Sequence, residues 1–165
     1  MGRQFRLWSQ GHPLVMLPPA ADAAGRISSY YSLAGCHKAF ILCLVDQGNA
    51  TTVEFTPLQA TDTSGSNSKA LSSSAPIVAD QDTAASDILA LQTAAANFTT
   101  SATLKSKLVI FEIDPLEVMD VNEATPFSAI AIETGASNAA NVTSALLLKM
   151  PLRDPSQIGE SESAT

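Results

Sequence analysis

The chain has 165 residues, 45% of them hydrophobic, enough for one domain whose core needs no disulfide or metal to hold it. Its 16 Asp and Glu against 9 Lys and Arg give a formal charge of -7, and the cations are scattered. That excludes a general nucleic-acid binder, because phosphate affinity requires clustered cations. No apolar run approaches the roughly 20 residues of a membrane helix, so no membrane partner is expected. Pro13, Pro18 and Pro19 interrupt what would be a signal-peptide core, so the chain is expected to be made in a cytoplasm.

Residues 1–26 hold those prolines with Gly11 and Gly25, and read as an extended arm without a regular element. From Ile27 the pattern alternates: Ile27, Ser29, Tyr31 and Leu33 oppose Ser28, Tyr30 and Ser32, and after Ala34 and Gly35 an uninterrupted apolar run covers residues 39–45. Two successive strand segments are predicted there. Residues 46–49, DQGN, have the composition of a hairpin turn in which Gly48 and Asn49 take positive φ. Residues 51–59 alternate as a strand, with Val53 and Phe55 inward, and Pro57 places that part at an edge or a bulge.

Residues 61–74 are rich in Ser, Thr, Gly and Asn and read as a long surface loop. A short strand is predicted at 75–79. Residues 82–98 suit either a helix capped at Asp82 or Thr83 or further strands, and without an apolar stripe at helical spacing strand pairing is favoured at 88–93. Residues 108–113, LVIFEI, are a strand that Asp114-Pro115 ends. Strands at 127–134 and 142–150 follow, and residues 153–165 read as a mobile tail. Seven or eight short strands with polar turns specify an all-β fold, an antiparallel β-sandwich or jelly roll over residues 27–152.

Chemistry-bearing residues are few. Cys36 and His37 are neighbours on a predicted strand, so their side chains leave on opposite faces and do not make a nucleophile and base. Cys36 and Cys43 are seven residues apart, roughly 23 Å at about 3.3 Å per residue, too far to pair along one extended segment. The acidic stretch Glu112, Asp114, Glu117, Asp120 and Glu123 lacks the alternating ligands and central Gly of a calcium loop. No phosphate-binding loop or nucleophile elbow occurs. The expectation is a non-enzymatic protein with no catalytic residue, cofactor or metal.

The segments PPAADA, YYSLAGCHKAFILCLVDQGNATTVEFTPLQATDTSGSNSKAL, PIVADQDTAASDILALQT, NFTTSATLKSKLVIFEIDP and FSAIAIETGASNAANVTSALLLKMPLR, taken in order, resemble small virion structural proteins of tailed bacteriophages, of the head decoration or cement kind. The resemblance covers roughly residues 17–153. It departs at residues 1–16, which lie beyond the matched part, and at 116–125, where Glu117, Met119 and Glu123 replace a Gly-containing turn.

The resemblance implies a protein of the virion head surface that stabilises the capsid through contacts with the major capsid protein. Itself a second partner, it would form a homotrimer, since a head lattice offers three-fold positions. The N-terminal arm is the expected interface, with Phe5, Leu7 and Trp8 burying area and Arg3 and Arg6 meeting acidic groups. The alternative is a tail- or fibre-associated sandwich that binds a glycan or receptor, which calls for exposed aromatic rings where the sequence has only 5% aromatics.

Overall fold

The structure, a computed structural model, describes residues 11–151. In chain order its elements are β1 (His12–Ala21), β2 (Arg26–Ile27), β3 (Tyr31–Ser32), β4 (Cys36–Gln47), β5 (Glu54–Ala60), β6 (Lys69–Ala70), β7 (Ile77–Asp80), β8 (Ala90–Leu91), β9 (Phe98–Thr99), β10 (Ser106–Ile113), α1 (Pro115–Val118), β11 (Ala129–Thr134) and β12 (Asn141–Pro151). All pairings between strands are antiparallel. The first sheet has the order β1-β12-β4-β10-β7-β8, and the second β2-β11-β5-β6, with β3 also on β11 and β9 on β5.

The two sheets pack as a sandwich, the all-β architecture the alternation specifies. Ile41, Cys43, Val45, Val109, Phe111, Ala145 and Leu147 point inward from the first sheet and meet Phe55, Ile130 and Ile132 from the second. Each large side chain buried this way stabilises the fold by about 1.5–3 kcal/mol. Polar residues close both ends of the sandwich. At one end the buried Lys107 ammonium donates to Gln47 Oε1 at 2.7 Å, Ser101 O at 2.6 Å and Thr103 O at 2.8 Å. At the other, Lys149 Nζ donates to Ser32 O at 3.2 Å.

The structure corrects the reading of residues 1–26 as an arm without regular structure. Residues 12–21 form β1, so the sheet domain begins before residue 27. Prolines interrupt central strands, but β1 is the outermost strand of its sheet, where a missing N–H leaves no ladder position empty. Register shifts between Val15 and Leu17 and between Leu17 and Ala20 absorb the irregular part. Arg26 then ties three strands: it donates through Nη1 to Pro18 O at 2.8 Å and through Nη2 to Thr143 Oγ1 at 2.7 Å.

Other expectations shift in detail. Residues 48–53 cross from β4 in the first sheet to β5 in the second rather than turning a hairpin, and neither Gly48 nor Asn49 takes positive φ. Asn141 holds that crossing: its Oδ1 accepts from Asn49 N at 2.8 Å and its Nδ2 donates to Thr51 O at 2.8 Å. Thr56 and Pro57 fall between the places where β9 and β6 pair with β5. The loop expected at 61–74 contains β6, which turns back onto β5 with Leu58 opposite Ala70. Of residues 88–93 only Ala90–Leu91 pair as a strand. Ile27 is exposed and Ser28 buried, with Ser28 Oγ accepting from Ile132 N at 3.0 Å.

Candidate functional site

The residues singled out for chemistry are placed separately. Cys36 and His37 open β4, where a register shift at Met150 and Pro151 sets Cys36 opposite Pro151. The His37 ring is exposed and its Nδ1 lies 3.1 Å from Pro151 O. No disulfide links Cys36 with Cys43. Cys43 faces the core, and burial pushes its thiol pKa far up.

The acidic stretch divides among local tasks. Asp114 caps α1 by accepting from Leu116 N at 3.1 Å. Asp120 accepts from Lys69 Nζ at 2.5 Å, Ser72 Oγ at 2.6 Å and Gln59 Nε2 at 3.0 Å, and these bonds, that from Lys69 foremost, hold its carboxyl below the usual carboxylate range. Glu112 accepts from Lys38 Nζ. In the 61–66 turn, Asp62 Oδ1 accepts from Ser64 N at 2.9 Å and Ser66 N at 3.1 Å, which makes the turn self-contained. Among the described residues, no three His, Cys, Asp or Glu side chains converge on a point where a metal could sit.

The feature that local structure does not account for is the outer face of the first sheet. Cross-strand register aligns Val15 with Leu146, Leu146 with Leu42, Leu42 with Ile110, Ile110 with Val78 and Val78 with Leu91. One aliphatic side chain from each strand therefore forms a continuous row across the sheet. Val15 is 57% exposed and Leu91 78%, while Leu42, Ile110 and Val78 are half-buried between them. Phe40 and Leu148 flank the row on one side, and Leu44, Leu108 and Val142 on the other.

Antiparallel sheets with one wet face normally alternate apolar and polar residues. The second sheet does so at the end where β9 joins it, turning Glu54, Thr56, Glu133 and Thr99 outward. The first sheet does not. Exposed apolar patches of this continuity mark contact surfaces. Beyond Leu44, where β4 and β12 near the β1 end at Ala21, the face dips into an open concavity of about 270 Å3 lined by Pro19, Leu44, Asp46, Ser106, Val142 and Ser144.

At the opposite end of the same face sits a charged corner. Lys38 there is surrounded by carboxylates, and the hydrogen bond to Glu112, with the nearby charges of Glu112, Asp114 and Glu117, raises its pKa. The expected interface residues Arg3, Phe5, Arg6, Leu7 and Trp8, and the tail at 153–165, lie outside the described residues. The apolar face itself was signalled in the sequence: the run at residues 39–45 leaves no polar position for a wet side.

No family model matches the chain, and no curated protein matches it. Among solved structures, the SPBc2 prophage-derived protein YomS is similar with a TM-score of 0.47 and 8% identity, over 84% of this chain and 92% of that one. The N-terminal cellulose-binding domain of β-1,4-glucanase C from Cellulomonas fimi is similar with a TM-score of 0.30 and 11% identity, over 88% of this chain and 79% of that domain. At these TM-scores neither likeness bears on function.

Proposed function

We propose that the chain is a structural protein of a tailed-phage virion that decorates the head and works through protein–protein contacts with the major capsid protein, as a homotrimer. The observation that carries the contact role is the aliphatic outer face of the first sheet. An apolar face of this continuity costs free energy in water, and a protein partner removes that cost. The sequence resemblance supplies the virion setting. A glycan-binding tail or fibre module is the poorer fit, because sugars stack on aromatic rings and the row from Val15 to Leu91 contains none.

Separated heads and tails from phage particles, each incubated with the purified chain and sedimented, test the reading. The expected result is saturable co-sedimentation with heads and none with tails. Binding to tails, or to a glycan array with no binding to heads, would overturn it.

A further inference from the structure

We propose that the outer face of the first sheet receives a partner protein whose surface has an aliphatic centre between two ends bearing Lys or Arg, one of these basic side chains entering the concavity at Asp46. This rests on reading that face as a contact surface and adds the chemistry of what covers it.

The aliphatic row from Val15 to Leu91 has an acidic end on either side of it along the strands. At one end, register sets Asp46 between Val142 and Ser106. Thr83 N and Oγ1 donate to Ser106 O at 3.0 and 3.1 Å, which brings Asp82 alongside, and Asp82 N donates to Asp80 Oδ1 at 2.9 Å. Lys105 is the cation there, with Nζ 2.9 Å from Asp82 Oδ2, while Lys107 turns inward to Gln47. Three carboxylates thus share one outward cation among the described residues. At the other end Glu112, Asp114 and Glu117 share Lys38 in the same way.

This frame decides between occupants. In a two-fold, face-to-face pairing of two copies the axis lies in the interface. Whether it runs along the strands or across them, each acidic end then meets an acidic end, and like charges set against each other cost affinity. A partner with cations at both ends meets no such penalty. Glu112 faces Phe40, six residues before Asp46 on β4, so those cations should stand roughly 20 Å apart at about 3.3 Å per residue.

The concavity fits the same chemistry. Pro19, Leu44 and Val142 offer an aliphatic wall, and Asp46, Ser106 and Ser144 a polar one. Ser106 Oγ donates to Asp46 Oδ1 at 3.1 Å, which steadies the exposed carboxylate. Lys and Arg carry an apolar stem and a charged head, so the stem can lie on Leu44 and Val142 while the head reaches Asp46.

Two labelled helical peptides of about 16 residues, roughly 24 Å long at about 1.5 Å per residue, test this by fluorescence anisotropy with the full chain. Both have a Leu-rich face, and one ends in Lys at both termini, the other in Glu. The lysine-ended peptide should bind at least about tenfold tighter, and high salt should shrink that preference. The exposed double substitution Asp46→Lys with Glu117→Lys should reverse the preference with an unchanged circular dichroism spectrum. Glu54→Lys with Glu133→Lys, the same change in net charge on the second sheet, should leave it as it is. Equal binding of the two peptides, binding of neither, a preference indifferent to salt, or an equal loss in both variants would overturn the proposal. So would a fall in mass by light scattering for Leu44→Asp, which would assign the face to a second copy. No phage head enters these assays, so they stand or fall separately from the head-decoration reading.

Discussion

Lys107 carries a charge at a core position of β10, and three oxygens around its Nζ make that tolerable. Lys107→Ala would leave the carbonyls of Ser101 and Thr103 without their donor and should destabilise the fold by about 2–4 kcal/mol in urea unfolding. Thr100 Oγ1 would still donate to Gln47 Oε1, so that part of the network should persist. Asp120 makes the complementary case for pH. Its pKa is lowered in the fold, by Lys69 foremost, so its contribution is present above the unfolded value near 3.8 and is lost as pH falls through the lower folded value. The urea midpoints of wild type and Asp120→Asn should therefore differ most above pH 4 and converge on acidification. A difference that grows towards low pH would contradict the Lys69 pairing. Cys36→Ser and His37→Ala should change stability by no more than a few kcal/mol, measured the same way, because Cys36 packs at the core margin and the exposed His37 ring hydrogen-bonds a backbone carbonyl.

Two glycines separate backbone strain from steric closeness at the ends of elements. Gly25, before β2, and Gly35, before β4, both have φ of +74°. A Cβ at Gly25 would sit 2.5 Å from Thr134 O, whereas nothing lies within 4 Å at Gly35. Gly35→Ala should cost about 1–2 kcal/mol from the left-handed conformation alone, and Gly25→Ala clearly more, in thermal or urea unfolding. Equal costs would show that the β2 turn relaxes freely. The alternation at residues 51–59 and the run at 108–113 made β5 and β10 legible in the sequence, because period two and β-branched residues act locally. β1 was not legible, because whether Pro13, Pro18 and Pro19 break a strand depends on its place at the sheet edge, which is a property of the whole sheet. The two-residue strands β2, β3, β6, β8 and β9 carry too few residues to show a period. Their pairing follows from longer neighbours. The outer apolar row was half visible: the run at 39–45 announced a strand covered on both faces, but the alignment with Val15, Ile110, Val78 and Leu91 exists only in the register between strands.

The two sheets differ in their outward chemistry, and the aliphatic face of the first is the proposed binding surface. An aspartate placed in the open end of that face should leave the fold intact, because Leu44 and Val142 are exposed and absent from the core. It should also remove partner contact, with each lost aliphatic burial worth at least about a tenfold loss of affinity. Light scattering on the purified chain should return the mass of a trimer if the oligomer forms before docking. The most direct measurement is the occupancy of purified heads by the double variant Leu44→Asp with Val142→Asp, set against Thr56→Asp on the outward face of the second sheet. The first variant should fail to occupy heads, while the second should bind like wild type. Undiminished occupancy by the Leu44 and Val142 variant, or loss confined to the Thr56 variant, would contradict it.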